Sequence, residues 1–177
     1  MGTINTEYLF SPGIEMPHVL LAIKFIRECN NTDKQMTSKK IRETPEALYY
    51  TVTHKMPDIM RVLFKSPAIV MQEKIDISDS NNKIVSFIEP SEKLKQITFE
   101  TRTTYSKVSD NKTSKTKFTD PNQILVQTAI TLNTPFNVPE ALKPLIELWA
   151  KNKTRKIRKL ESRYARMSKE SIERKQD

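Results

Sequence analysis

Apolar and polar positions alternate with period two in two stretches of the chain. Ile97, Phe99, Thr101, Thr103 and Tyr105 share one face while Thr98, Glu100 and Arg102 share the other, and Ile124, Val126, Thr128 and Ile130 repeat the pattern. Such alternation marks half-buried strands. It places strands over 96–107 and 122–132, and β-rich runs over 3–10, 35–43, 47–54, 69–77 and 83–88 complete the set. Ser11-Pro12-Gly13, Thr44-Pro45-Glu46 and the polar run 78–82 supply turns between them. Consecutive strands joined by tight turns pair antiparallel.

Two other stretches follow the helical period. Residues 16–29 carry Val19, Leu20, Ile23 and Ile26 as one stripe, with Pro17 in the first turn and Asn30-Asn31 as the stop. Residues 138–167 place Val138, Leu142, Leu145, Trp149, Leu160, Tyr164 and Met167 on one broad face, with Lys143-Pro144 offering a later start. The middle of that face is polar. Asn152, Lys153 and Lys156 fall on it and Arg155 lies at its edge beside Leu148. Either these cations meet an anion in a lined cavity, or the helix leaves the body near Asn152 as a solvated rod. Between strands, Met56, Pro57, Ile59, Met60, Leu63 and Phe64 lie between Lys55 and Lys65. This segment is either a loop that covers a ligand or touches a membrane, or a short core helix.

The order is strand, helix, about six strands, long helix. It predicts an α+β helix-grip fold: a curved antiparallel sheet of about six to seven strands, an N-terminal helix, a short lid helix and a long C-terminal helix. A cavity between sheet and helix is a usual site for an apolar ligand. At 177 residues the chain suits one domain, read as 1–167 with a basic, polar tail over 168–177.

Charge changes this picture at one end. Residues 151–177 hold eleven Lys/Arg against four Asp/Glu, so +7 of the net +9 resides there, and the body carries nineteen against seventeen. A neutral body with a basic terminal helix suggests contact with anionic lipid, nucleic acid or an acidic partner. Trp149 and Tyr164, the aromatics of that helix, lie on its apolar face rather than among exposed cations, so no specific nucleic acid is expected. The 37% hydrophobic content includes no run of 18 apolar residues that would span a bilayer. Cys29 is the only cysteine, which excludes an internal disulfide and a thiolate metal site. His18 and His54 lack partners at ligand spacing and are assigned structural roles. Gly2 and Gly13 are the only glycines, so there is no glycine-rich phosphate loop, and no HExxH or nucleophile elbow occurs. The expectation is a protein without catalysis, metal or cofactor. Gly2 and Thr6 fit the loose myristoylation pattern, the alternative being a plain first strand, and neither a signal peptide nor an Arg-rich presequence is visible.

Four segments resemble the PRELI/UPS family of mitochondrial intermembrane-space phospholipid-transfer proteins, whose fold is START-like. Met56-Pro57 and the apolar, basic segment after it resemble that family's lid loop; 73–88 (EKIDISDSNNKIVSFI) is similar to its strand, Asp/Asn turn and strand. Residues 99–105 (FETRTTY) resemble its Val-Glu-Glu-x-x-x-Tyr strand at Glu100 and Tyr105, and Asn152-Lys153-Thr154-Arg155 resembles the Asn-x-x-Lys of its last helix. The resemblance implies a carrier of an anionic phospholipid such as phosphatidic acid, working between mitochondrial membranes with a small twin Cx9C helical partner. It places the head group at Arg155, Lys156, Asn152 and Arg27, and the lid or membrane contact at Met56, Pro57, Ile59, Met60, Leu63, Phe64 and Lys65. The family's Tyr-Pro-Asn-Pro is replaced here by Arg27-Glu28-Cys29-Asn30-Asn31, and its tryptophan after Met-Pro is Ile59. These departures and the +7 segment fit a second expectation: a degenerate carrier fold serving as a structural subunit of a large mitochondrial membrane complex or ribosome, in the intermembrane space or peripheral on the inner membrane.

Overall fold

The computed structural model describes residues 3–29, 36–58, 61, 68–91, 98–110, 120–133 and 140–176. Seven strands form one antiparallel sheet in the order β1-β7-β6-β5-β4-β3-β2: β1 Thr3–Leu9, β2 Met36–Glu43, β3 Ala47–Lys55, β4 Ala68–Asp76, β5 Lys83–Pro90, β6 Thr98–Lys107 and β7 Ile124–Asn133. The strands β2 to β7 follow one another as a meander, and β1 closes the far side against β7 from Thr3↔Thr131 to Leu9↔Leu125. Period-two alternation decides which face is covered. In β4, Ile69, Met71, Glu73 and Ile75 are buried while Val70, Gln72, Lys74 and Asp76 are exposed. Thr103 and Tyr105 of β6, and Val126, Thr128 and Ile130 of β7, are buried on their strands' predicted inner face.

Helix α1, Met16–Glu28, carries the chain between the two edge strands. Pro17 sits in its first turn, and the Glu15 N–H donates to His18 Nδ1 at 3.0 Å, so His18 caps the helix. Helix α2, Lys143–Gln176, has 34 residues and runs on through the segment read as a tail. Arg27 of α1 approaches Glu161 of α2, while Gly13, just before α1, lies beside Lys169, so the helices lie antiparallel. Two groups of buried residues flank the middle of the molecule. Phe10, Ile23, Leu48, Ile84, Tyr105 and Ala165 belong to one, and Ile4, Met56, Met71, Leu132, Ile146 and Ala150 to the other.

Two sequence expectations are corrected here. Helix α2 neither leaves the body at Asn152 nor buries the predicted face, because Ile146, Ala150, Thr154, Arg158, Glu161 and Ala165 are the residues turned inward. The buried stripe is rotated by about a third of a turn from the apolar one, leaving Leu145, Leu148 and Met167 exposed. The physical reason is the pairing of Arg158 with Glu161, which lets a polar strip face the sheet, where small Ala and Thr side chains allow close approach. Asn152, Arg155 and Lys156 are consequently exposed. Met56 is the second correction: it is 3% exposed inside a core cluster rather than over a cavity mouth, because it follows Lys55 at the end of β3 and keeps the two-residue step of the covered face. Pro57 is half-buried. Ile59, Met60, Leu63, Phe64 and Lys65 lie outside the described residues.

Candidate functional site

A cavity of about 80 Å³ lies between the inner face of the sheet and α2. Met36, Val52, Met71, Ile88, Ile130 and Trp149 supply apolar wall, and Arg27, Glu73, Lys153 and Arg158 supply charge. Each element delivers its residue by its own period. Glu73 follows Met71 at the two-residue step of β4, and Arg158 follows Thr154 at the four-residue step of α2.

The charged side chains form a network that five elements share. Arg27 of α1 donates to both carboxylate oxygens of Glu73 on β4, Nε to Oε1 at 2.6 Å and Nη2 to Oε2 at 2.9 Å. Ser86 Oγ of β5 donates to Glu73 Oε2 at 2.6 Å. Arg158 of α2 donates through Nη1 to Glu161 Oε1 and to the Tyr105 hydroxyl, which in turn donates to Glu161 Oε2. Its Nη2 reaches Thr103 Oγ1 of β6 at 3.3 Å. The halves are joined by Arg27 Nη1, 3.9 Å from Glu161 Oε2. Two arginines and two glutamates are thus buried as a neutral quartet, in which planar guanidinium forks match carboxylates.

Burial by itself would lower the Arg27 pKa, but the carboxylates of Glu73 and Glu161 raise it well above its ordinary value. Burial would raise Glu73, yet Arg27 and the hydrogen bonds from Arg27 and Ser86 hold it below the ordinary 4.5. Burial pushes the Tyr105 phenol up, so it stays protonated and available as a donor. Arg27 Nη1 and Arg158 Nε donate no hydrogen bond of their own in this arrangement. Together with Lys153 they line one end of the cavity with N–H donors, while Glu73 and Glu161 balance the two arginine charges.

Of the predicted head-group residues, Arg27 lines this cavity, and Arg155, Lys156 and Asn152 stand on the opposite side of α2. Lys153, which the sequence placed on the inward face of its helix, lines the cavity; Glu73, Arg158 and Glu161 were not singled out by the sequence, although two signals pointed to them. Glu73 occupies an inward position of an alternating strand, where a carboxylate requires a cation, and Arg158 and Glu161 stand three residues apart on one helix. Among the described residues, no group of His, Cys, Asp and Glu is clustered to hold a metal ion, and no helix is long and apolar enough to cross a membrane.

No protein-family model matches the sequence, and no curated protein matches it. Solved structures do match in shape. TTHA0849 from Thermus thermophilus superposes with a TM-score of 0.63 at 9% identity, covering 94% of this chain and 99% of its own. Human STARD10 gives 0.54 at 12% identity, covering 97% of this chain and 68% of its own. A START superfamily protein from Mycobacterium smegmatis gives 0.52 at 11% identity over 93% and 98%. The fold is therefore the START-like helix-grip fold expected from the element order, with seven strands.

Proposed function

We propose that the protein is a carrier that binds an anionic amphipathic molecule, of the phosphatidic acid type, between its sheet and α2. One observation carries the reading: a cavity with apolar walls whose polar end presents N–H donors of Arg27, Lys153 and Arg158, the two arginine charges being balanced by Glu73 and Glu161. Apolar lining favours an acyl chain, and guanidinium and ammonium donors favour a phosphate or carboxylate. The head group meets the inward cations rather than Arg155 and Lys156. At about 80 Å³ the cavity is well below the roughly 300–1,000 Å³ of ligand sites. Loading therefore requires the wall to open, and Met36 and Met71 are side chains that repack readily. The finer part of the proposal is transfer between mitochondrial membranes, with a small twin Cx9C helical protein as partner. It is supported by the PRELI/UPS-like segments.

The small, self-neutralised cavity also favours a second reading, a carrier fold retained as a structural subunit of a large mitochondrial complex. Lipid extraction with mass spectrometry, combined with transfer of phosphatidic acid between liposomes with and without the twin Cx9C partner, separates the two. A carrier yields stoichiometric anionic lipid, and Lys153→Glu lowers transfer about tenfold, the effect of roughly 1.4 kcal/mol of lost charge pairing. An empty protein that transfers nothing in either condition rejects the carrier and leaves the structural subunit.

A further inference from the structure

The rotation of α2 leaves an outer face that the cavity does not use. At 100° per residue, Leu145, Leu148, Arg155, Lys159, Arg163 and Arg166 fall within an arc of about 120° opposite the buried stripe. All six are exposed, Leu145 by 49% and Leu148 by 54%. The stripe runs about 30 Å along a helix whose other side is fixed to the sheet. Between Leu148 and Arg166 the only acid is Glu161, which is buried in the quartet, and the cationic run ends at the exposed Glu170, one turn beyond Arg166 on the same arc. Among the described residues, the ion pairs of α2 include Lys143, Arg158 and Lys169, not Arg155, Lys159 or Arg163.

We infer that the outer face of α2 is a docking surface for an anionic lipid bilayer. Cations in a row along one helix face match the potential of a negatively charged membrane, and several Lys/Arg on an amphipathic helix are enough for such attraction. The two leucines decide between partners. Two exposed leucines in the same arc as the cations gain by entering the acyl boundary of a membrane, whereas a nucleic-acid backbone offers them nothing. A base-stacking surface needs exposed aromatics, and neither Trp149 nor Tyr164 of this helix is fully exposed. Leu145 and Leu148 sit one turn or less from Trp149 on the cavity wall, so docking here brings the cavity end of α2 to the lipid surface.

The test is co-sedimentation of the full chain with vesicles of phosphatidylcholine alone and of phosphatidylcholine with phosphatidylglycerol. Binding is expected only to the anionic vesicles and should weaken as salt rises. The combined variant Arg155→Glu, Lys159→Glu, Arg163→Glu should lose more than about a hundredfold in affinity, at roughly fivefold per charge. Leu145→Ser with Leu148→Ser should lose about tenfold. Both variants alter exposed positions, and unchanged thermal melts establish that they fold. Equal binding to neutral vesicles, unchanged affinity in either variant, or tighter binding to a duplex oligonucleotide than to anionic vesicles overturns the assignment. The readout is vesicle binding, not lipid uptake, so the result stands apart from the fate of the carrier reading.

Discussion

Arg27 and Glu73 show how much one buried residue depends on another. Both are almost completely buried, at 5% and 2% exposure, and each neutralises the other through a bidentate contact. Removing one partner leaves an uncompensated charge in low dielectric, so Arg27→Ala or Glu73→Gln should each cost about 3–5 kcal/mol, while the apolar pair Arg27→Met with Glu73→Leu should recover most of that loss. Acid should expose the same dependence. The folded-state pKa of Glu73 lies below its ordinary 4.5, so its contribution is fully present above that value and drains away as pH falls through the folded-state pKa. Urea titrations at a series of acidic pH values check both statements. The wild type should lose stability below 4.5 more steeply than Glu73→Gln, and parallel profiles would show that the carboxylate adds nothing to folding.

At the scale of the element, α2 shows where periodicity and burial part company. Counting apolar residues selects Leu145 and Trp149 as the buried stripe, whereas the fold buries Ile146 and Ala150 and tolerates Arg158 and Glu161 beside them. The apolar count fails because it treats every charge as solvent-seeking, and a charge that is paired, as Arg158 and Glu161 are with each other and with groups of α1 and β6, is not. Neighbouring positions make the test simple. Ile146→Ala should cost about 2–4 kcal/mol, since the side chain is 1% exposed in a core cluster, and Leu145→Ala should stay within about 0.5 kcal/mol. Equal losses in denaturant melts would place the helix in the orientation the apolar stripe suggested. The strands present no such conflict: β6 and β7 bury the face that alternation assigns, at Thr103 and Tyr105 and at Val126, Thr128 and Ile130, because a period of two allows only two choices.

For the whole molecule, sheet and helices enclose a small neutral centre with a cationic rim, and stability should respond to whatever occupies it. A ligand at a hundred times its Kd adds about 2.7 kcal/mol, which for a chain of this length raises Tm by roughly 5–10 °C. Thermal melts with a single-chain phosphatidic acid analogue, set against a neutral analogue of equal chain length, should show the shift for the anion alone. Identical shifts for both would remove the N–H donors from recognition.

Length, turn residues and alternation in the sequence determined the order of elements, the antiparallel pairing and hence the helix-grip fold, because these are local consequences of backbone geometry. The basic bias of α2 was equally visible, as charge is counted residue by residue. Only the tertiary structure decided which side of α2 faces inward. That choice rests on Arg27, Glu73, Arg158 and Glu161, drawn from α1, β4 and α2, meeting at one point. No single segment contains that information: Arg158 and Glu161 pair three positions apart on α2, but Arg27 meets Glu73 across 46 positions and the hydroxyl of Tyr105 reaches Glu161 across 56. The same meeting turned Arg155 outward and Arg158 inward, three residues apart on one helix.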